Sequence, residues 1–184
     1  MFYKEDKNFI NEVQKAYIQE VILNNTSESG GIGSGDFPWY FSPHAVYGDR
    51  SPFLYHAVIR RQEARKDGEG VFNSAMGPFF MKLLDQFAEK NDIKFETVYR
   101  CSVNITFPLL LEPTSHQDHE FPYNHFLIYL NDSDGDTCVY NEEGTKIEKR
   151  ITPEQYKGVC FEKRFHYAEL PTNGVRFVAV YTYI

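Results

Sequence analysis

The chain has 184 residues, 42% of them hydrophobic and 16% aromatic, and a formal net charge of −7. This content predicts a folded chain rather than a disordered one, and the length suits one domain, residues 1–184, that needs no staples. The acidic balance makes nucleic acid an unlikely partner; the basic clusters Arg60-Arg61 with Arg65-Lys66, Lys149-Arg150 and Lys163-Arg164 read as solvated faces.

Cys101, Cys138 and Cys160 form no C-x-x-C pair, so they are expected as small buried residues in a reducing compartment rather than as a disulfide or zinc framework. The opening Met1-Phe2-Tyr3-Lys4-Glu5-Asp6-Lys7 is charged and lacks an apolar h-region, and no stretch approaches the about 20 apolar residues of a membrane span. The expectation is a soluble, intracellular, cytoplasmic protein with no membrane partner.

Residues 6 to 24 predict a first helix, with Asp6 as N-cap and Ile10, Val13, Tyr17 and Val21 as its apolar face. The glycine-rich stretch from Ser27 to Asp36 lacks the lysine that a phosphate loop needs after its last glycine, so it reads as a plain loop. Next, Phe37-Pro38-Trp39-Tyr40-Phe41 gathers aromatics. Trp39 and Tyr40 either wall a substrate cleft or pack an extended segment on a sheet. Pro52 to Ile59 is an apolar run of undecided type, and His44 and His56 lack a partner at ligand spacing and read as structural or surface residues. Asp67-Gly68-Glu69-Gly70 signals a turn. A second helix is predicted over 77–91, with Ser74 as cap, Pro78 in its first turn and Phe80, Leu83, Leu84 and Phe87 facing the core.

Beyond about residue 95 the apolar period becomes two. Val98 to Thr106 puts Tyr99, Cys101, Val103 and Ile105 on one face and Arg100, Ser102, Asn104 and Thr106 on the other. The polar face either lines a barrel interior or meets solvent. Further strands are predicted at 125–130, 137–140, 146–151, 159–161 and 175–183, with turn residues between them at 131–135 and 141–144. Such spacing predicts a mainly β chain: residues 1–94 form a helical and irregular scaffold, and 95–184 a jelly-roll, cupin-like core braced by α-helices.

His116 and Asp118 are two residues apart, so on an extended segment they point to one side. With one distant histidine, such as His166, they would make the 2-His-1-carboxylate facial triad of non-haem Fe(II) sites, which leaves positions open for a co-substrate and O₂. An H-x-D tripeptide also arises by chance in surface loops. His119 and His125 lack a carboxylate two residues on; each reads as a surface histidine or a support behind the triad.

The order of further elements resembles the Fe(II)/2-oxoglutarate-dependent dioxygenases, in particular their prolyl-4-hydroxylase-like branch. The elements are His116-Gln117-Asp118, Phe126-Leu127-Ile128-Tyr129-Leu130-Asn131-Asp132, Gly135-Asp136-Thr137, Ile151-Thr152-Pro153, Val159-Cys160-Phe161, His166 and Gly174-Val175-Arg176, over roughly residues 97–183. The resemblance implies a double-stranded β-helix barrel. Its iron ligands would be His116, Asp118 and His166. Arg176 would pair with the distal carboxylate of 2-oxoglutarate beside Tyr129 and Thr137. On the polar face of the strand at 98–106, Asn104 is a candidate for the co-substrate pocket and Arg100 for the pocket and the substrate. It also implies that 2-oxoglutarate and O₂ yield succinate and CO₂ as a C–H bond is hydroxylated. Many members of the branch carry lysine where Arg176 stands and a second glycine where Asp134 stands, which weakens proline as the substrate. A prolyl or other protein or peptide side chain is the first expectation, and a free amino acid or small metabolite the alternative. The rival from another class is a non-redox cupin-like protein that binds a ligand or metal.

Overall fold

The computed structural model describes residues 2–23, 37–46, 48–62 and 68–184. The glycine-rich stretch, the end of the first predicted helix, Arg65-Lys66 and Asp67 lie outside these residues.

The described chain is built on two antiparallel sheets. The larger contains β1 (Tyr3–Asp6), β2 (Tyr40–Ser42), β3 (Phe53–Arg60), β4 (Val71–Phe72), β5 (Val98–Thr106), β6 (Asn124–Tyr129), β9 (Gly158–Glu162) and β11 (Arg176–Tyr183). They run in the order β1-β9-β6-β11-β5-β3-β2, with β4 on β3. The smaller sheet orders β10 (His166–Ala168), β7 (Thr137–Tyr140) and β8 (Ile147–Ile151) as β10-β7-β8. An isolated bridge between His116 and His166 adds the H-x-D segment to its edge. This is the predicted jelly-roll, a double-stranded β-helix.

Helices α1 (Glu12–Ile18) and α2 (Gly77–Lys90) cover the other face of the large sheet. Period-two alternation sorts β5 between these environments. Cys101 and Val103 join Phe80, Leu83, Leu84, Phe87, Phe126 and Tyr181 in the main core. Ser102, Asn104 and Thr106 face the cavity between the sheets, which decides the polar face in favour of the barrel interior. The Phe87 and Phe126 rings lie 4.4 Å apart, and Tyr181 donates from its hydroxyl to the Phe80 carbonyl at 2.9 Å. Gly158 permits this approach, because a Cβ there would sit 2.7 Å from the Phe9 ring and 2.8 Å from Phe87.

Helix α2 matches the predicted range and face, with Pro78 in its first turn. Met76 stands at the N-cap, and the Ser74 hydroxyl instead accepts from the Met76 amide at 3.2 Å. The first helix requires correction. Asp6 closes strand β1, and the helix starts at Asn11, whose side chain accepts from the Gln14 amide at 2.9 Å while Gln14 Oε1 accepts from the Asn11 amide at 3.0 Å. That capping box outcompetes Asp6. The buried face is therefore Gln14, Ile18 and Ile22, with a π-helical turn over Gln19–Leu23, and Val13 is 80% exposed. The undecided run at 52–59 is β3. Strands β1, β2, β4 and β10 were not predicted; each has four residues or fewer, too short to show a period. No helix among the described residues is long and apolar enough to cross a membrane.

Candidate metal and co-substrate centre

His116 and His166 exchange both backbone hydrogen bonds across their bridge, each 3.0 Å, which sets their imidazoles side by side with ring centroids 4.7 Å apart. Asp118 lies two residues on, and one ligand atom from each of the three falls within 4.8 Å of the others. His116 Nε2 is 3.8 Å from Asp118 Oδ1. Each histidine turns its Nδ1 to a backbone carbonyl, His116 to Thr114 and His166 to Arg164, both at 3.1 Å. A carbonyl only accepts, so Nδ1 carries the hydrogen and the Nε2 lone pair is left for a metal. Two imidazoles and one carboxylate on one side form a donor set that fits Fe(II).

Surrounding groups hold Asp118 and His166 in their metal-binding protonation states. Burial pushes His166 down to about 3, with the His125 ring adding to the effect against the pull of Asp118. Burial alone would raise the Asp118 carboxyl, but Arg100 and His125 outweigh it and hold the group well below the carboxylate range. Arg100 Nη2 meets Asp118 Oδ1 at 2.9 Å, and His125 Nε2 meets Oδ2 at 3.0 Å.

His125 corrects its surface reading. It is 0% exposed, stacks on Phe161 at 4.6 Å and stands across from Thr182 in the β6–β11 ladder. His119 does so too. At 6% exposure it takes an Arg61 Nη1 at 2.9 Å on Nδ1 and meets Thr182 Oγ1 at 2.8 Å through Nε2. Burial, then the Arg100 charge, lowers it to about 4. No local signal marked either residue, because their partners lie far away in sequence. Arg61, one of the predicted solvated cations, is thus half-buried against His119.

At the other end of β11, Arg176 is 3% exposed and pairs with Thr106 in the β5 ladder. Its Nη2 donates to Thr137 Oγ1 at 2.8 Å, and the Tyr129 hydroxyl donates to the same oxygen at 2.8 Å. The guanidinium carbon lies 5.4 Å from the Tyr129 ring centre. No carboxylate among the described residues forms an ion pair with Arg176, and its buried Nε has no partner. Burial lowers its pKa, opposed mainly by Tyr129. A buried, uncompensated cation is expensive unless a ligand neutralises it, and a carboxylate is the natural match for a guanidinium fork. Gly135 makes the enclosing loop possible: a Cβ there would come within 2.5 Å of the Glu169 carbonyl oxygen and 3.4 Å of Arg176 Cδ.

A cavity of about 500 Å³ joins both ends. Its lining includes His116, Asp118, His166, Thr137, Arg176, Asn104 and Arg100, with Leu127, Val178 and Val180 as apolar walls. Tyr129 reaches it through Thr137, and Asn104 accepts from the Ser102 hydroxyl at 2.7 Å. Trp39 and Tyr40 are not in this lining. Trp39 packs against Phe37 at 5.0 Å and Phe177 at 6.0 Å, and Tyr40 lies 5.9 Å from Tyr55 across the β2–β3 pair. The sheet-packing alternative describes Trp39, which packs against the main core, whereas Tyr40 stands opposite the lining residue Tyr55 on the cavity face of the sheet, half exposed beyond the lining itself. His56 is likewise structural, bonded to the Pro38 carbonyl at 2.8 Å, whereas exposed His44 lines the cavity.

No family model and no curated protein matches this sequence. Solved structures do match its fold. An oxidoreductase of the 2OG-Fe(II) oxygenase family from Burkholderia pseudomallei superposes with a TM-score of 0.72 at 14% identity, covering 98% of this chain and 84% of that one. The chain has the 2OG-Fe(II) oxygenase fold. A prolyl hydroxylase from Trichoplax adhaerens, in complex with a hypoxia inducible factor oxygen degradation domain peptide fragment, gives 0.65 at 15% identity over 99% and 83% of the two chains. A Pseudomonas putida prolyl-4-hydroxylase gives 0.58 at 13% identity over 99% and 91%. The 2OG-Fe(II) oxygenase fold thus spans both helices as well as the barrel.

Proposed function

We propose that this protein is an Fe(II)- and 2-oxoglutarate-dependent oxygenase that hydroxylates an organic substrate. The observation that carries the reading is the pairing, in one cavity, of a three-ligand donor set with a buried arginine that lacks a counter-charge. Fe(II) would be held by His116, Asp118 and His166. Arg176, with Tyr129 and Thr137, would receive the distal carboxylate of 2-oxoglutarate, and Asn104 would border the co-substrate.

Bound there, the metal and 2-oxoglutarate supply O₂ activation, with succinate and CO₂ released as a C–H bond becomes C–OH. The chain's own residues do the rest. Thr114 and Arg164 carbonyls fix the imidazole tautomers, and His125 ties down Asp118 Oδ2 so that Oδ1 faces the triad. Arg100, paired with Asp118 Oδ1, keeps that carboxylate ionised for the metal it would hold. Leu127, Val178 and Val180 exclude water around the co-substrate.

A peptide side chain, prolyl in the first instance, is the substrate we favour, since the Trichoplax neighbour is a prolyl hydroxylase crystallised with a peptide. A free amino acid or small metabolite is the alternative. The non-redox cupin-like reading leaves Arg176 without a purpose. We also read the chain as one domain, because a single core cluster joins Phe9 and Ile18 to Phe126 and Tyr181. Three buried free thiols support a reducing, cytoplasmic setting.

The test is succinate formation from Fe(II), 2-oxoglutarate and air without added substrate. Slow succinate release that disappears in His166→Ala is expected. Equal release by wild type and that variant would contradict the reading.

A further inference from the structure

The Arg61, His119 and Thr182 network is not used by the metal or co-substrate, yet it is built, with His119 and Thr182 buried and Arg61 half-buried. A guanidinium only donates, so His119 Nδ1 must accept from Arg61 and its Nε2 must carry the hydrogen that reaches Thr182. The imidazole is locked in place by rings on three sides: Phe121 stacked at 4.7 Å, Tyr123 at 4.8 Å and Tyr99 at 6.0 Å. Arg61 is therefore positioned by a neutral group that leaves its charge intact. Among the described residues no carboxylate pairs with it, and it lines the cavity.

Strand register fixes where this charge lies. Along β11 the partners on β5 run from Arg176 opposite Thr106 to Thr182 opposite Arg100. Six residues of strand separate those rungs by about 20 Å. Arg61 follows the end of β3, where Ile59 pairs with Cys101, and so belongs to the Thr182 end. The triad lies toward that end too, because Asp118 touches both Arg100 and His125, and His125 is opposite Thr182. Arg61 and Arg176 thus stand at opposite ends of the cavity, with Arg61 on the substrate side. There, among the described lining residues, Arg60, Arg61 and Arg100 stand at the same end as one carboxylate, Asp118. The other carboxylate among the described lining residues, Asp49, lies four residues before Phe53, at whose end of β3 the register reaches the Arg176 rung.

Resting on the proposed oxygenase reading, we propose that Arg61 is a substrate-anchoring residue that receives a carboxylate carried by the molecule to be hydroxylated. With a divalent metal on Asp118 and the doubly negative co-substrate on Arg176, the described residues of the substrate end keep a surplus positive charge that such a group neutralises. The carboxylate can belong to a small acid or to an acidic side chain beside the target residue of a peptide; the chemistry at Arg61 is the same.

The test uses the full chain loaded with Zn(II) and N-oxalylglycine, a non-reactive 2-oxoglutarate analogue that fills the inner end. In protein labelled with ¹⁵N-histidine, sodium acetate should shift the His119 ring signals saturably. The affinity should fall about tenfold or more in Arg61→Gln and recover in part in Arg61→Lys. Free L-amino acids and blocked peptides containing one Asp are then compared for displacement of acetate, and displacement by either set supports the proposal and names the source. An unmoved His119, an unchanged acetate affinity in Arg61→Gln, or displacement by neither set would overturn it. N-oxalylglycine binding, measured by calorimetry in the same samples, separates the outcomes: its loss in wild type defeats the oxygenase reading itself, while its retention with no acetate response defeats only the role of Arg61.

Discussion

The two ends of the cavity handle positive charge in opposite ways. At the inner end Arg176 is sealed among Tyr129, Thr137 and Thr106, with hydroxyl oxygens and, among the described residues, no paired carboxylate. At the outer end Arg100 is neutralised by Asp118, while half-exposed Arg61 rests on an imidazole. A sealed, uncompensated cation suits one fixed ligand of known charge. A cation at an open rim suits a ligand that must arrive and leave. The inner end therefore reads as common chemistry and the outer end as selectivity.

The largest expected effect breaks the comparison at its centre. Asp118→Ala removes a donor and should weaken Zn(II) or Fe(II) binding beyond the roughly 100-fold that marks loss of a supporting partner, measured by metal titration. Next, Arg176→Gln should weaken N-oxalylglycine by about 2–5 kcal/mol while leaving metal affinity unchanged, because it strips a buried charge pair without touching the triad. His125→Phe should lower metal affinity by about 10–100-fold, since Asp118 Oδ2 loses its anchor while the three donors remain.

The acid response sharpens the contrast further. His119 and His166 are lowered to about 4 and about 3, whereas unfolded histidine titrates near 6.5. Between those values the unfolded chain binds more protons, so stability rises with pH across roughly pH 3 to 6.5 and is lost as pH falls through that window. Urea midpoints of the metal-free protein should show this slope, and His166→Gln should flatten it. The smallest effect on ligands should come from Trp39→Phe, which lies outside the cavity: stability should drop with metal and N-oxalylglycine affinities unchanged.

Legibility in the sequence followed the range of the interactions. Strand β5 declared itself by alternation, and α2 by four apolar residues on one face, because both signals are local. Turns at 131–135 and 141–144 were readable from their Asn, Asp and Gly content. Helix α1 was misplaced because two competing caps, Asp6 and Asn11, lie five residues apart, and only Asn11 has Gln14 three residues on to close a capping box. Strand β10 was hidden by its length, although His166 within it stood out through its spacing to Arg176. His119 and His125 were the hardest to read. Whether a histidine is surface or buried depends on partners such as Thr182, 63 residues from His119, and no local pattern encodes that contact. Trp39 shows the converse: the single tryptophan of the sequence is a ring that packs on Phe37 and Phe177.

The central claim is that one cavity holds Fe(II) on the triad and 2-oxoglutarate on Arg176. Anaerobic addition of Fe(II) and 2-oxoglutarate should produce a visible metal-to-ligand charge-transfer band that is absent in His116→Ala and Asp118→Ala and that needs far more 2-oxoglutarate in Arg176→Gln. A wild-type protein with no band, or a band of equal strength in the triad variants, would contradict the account.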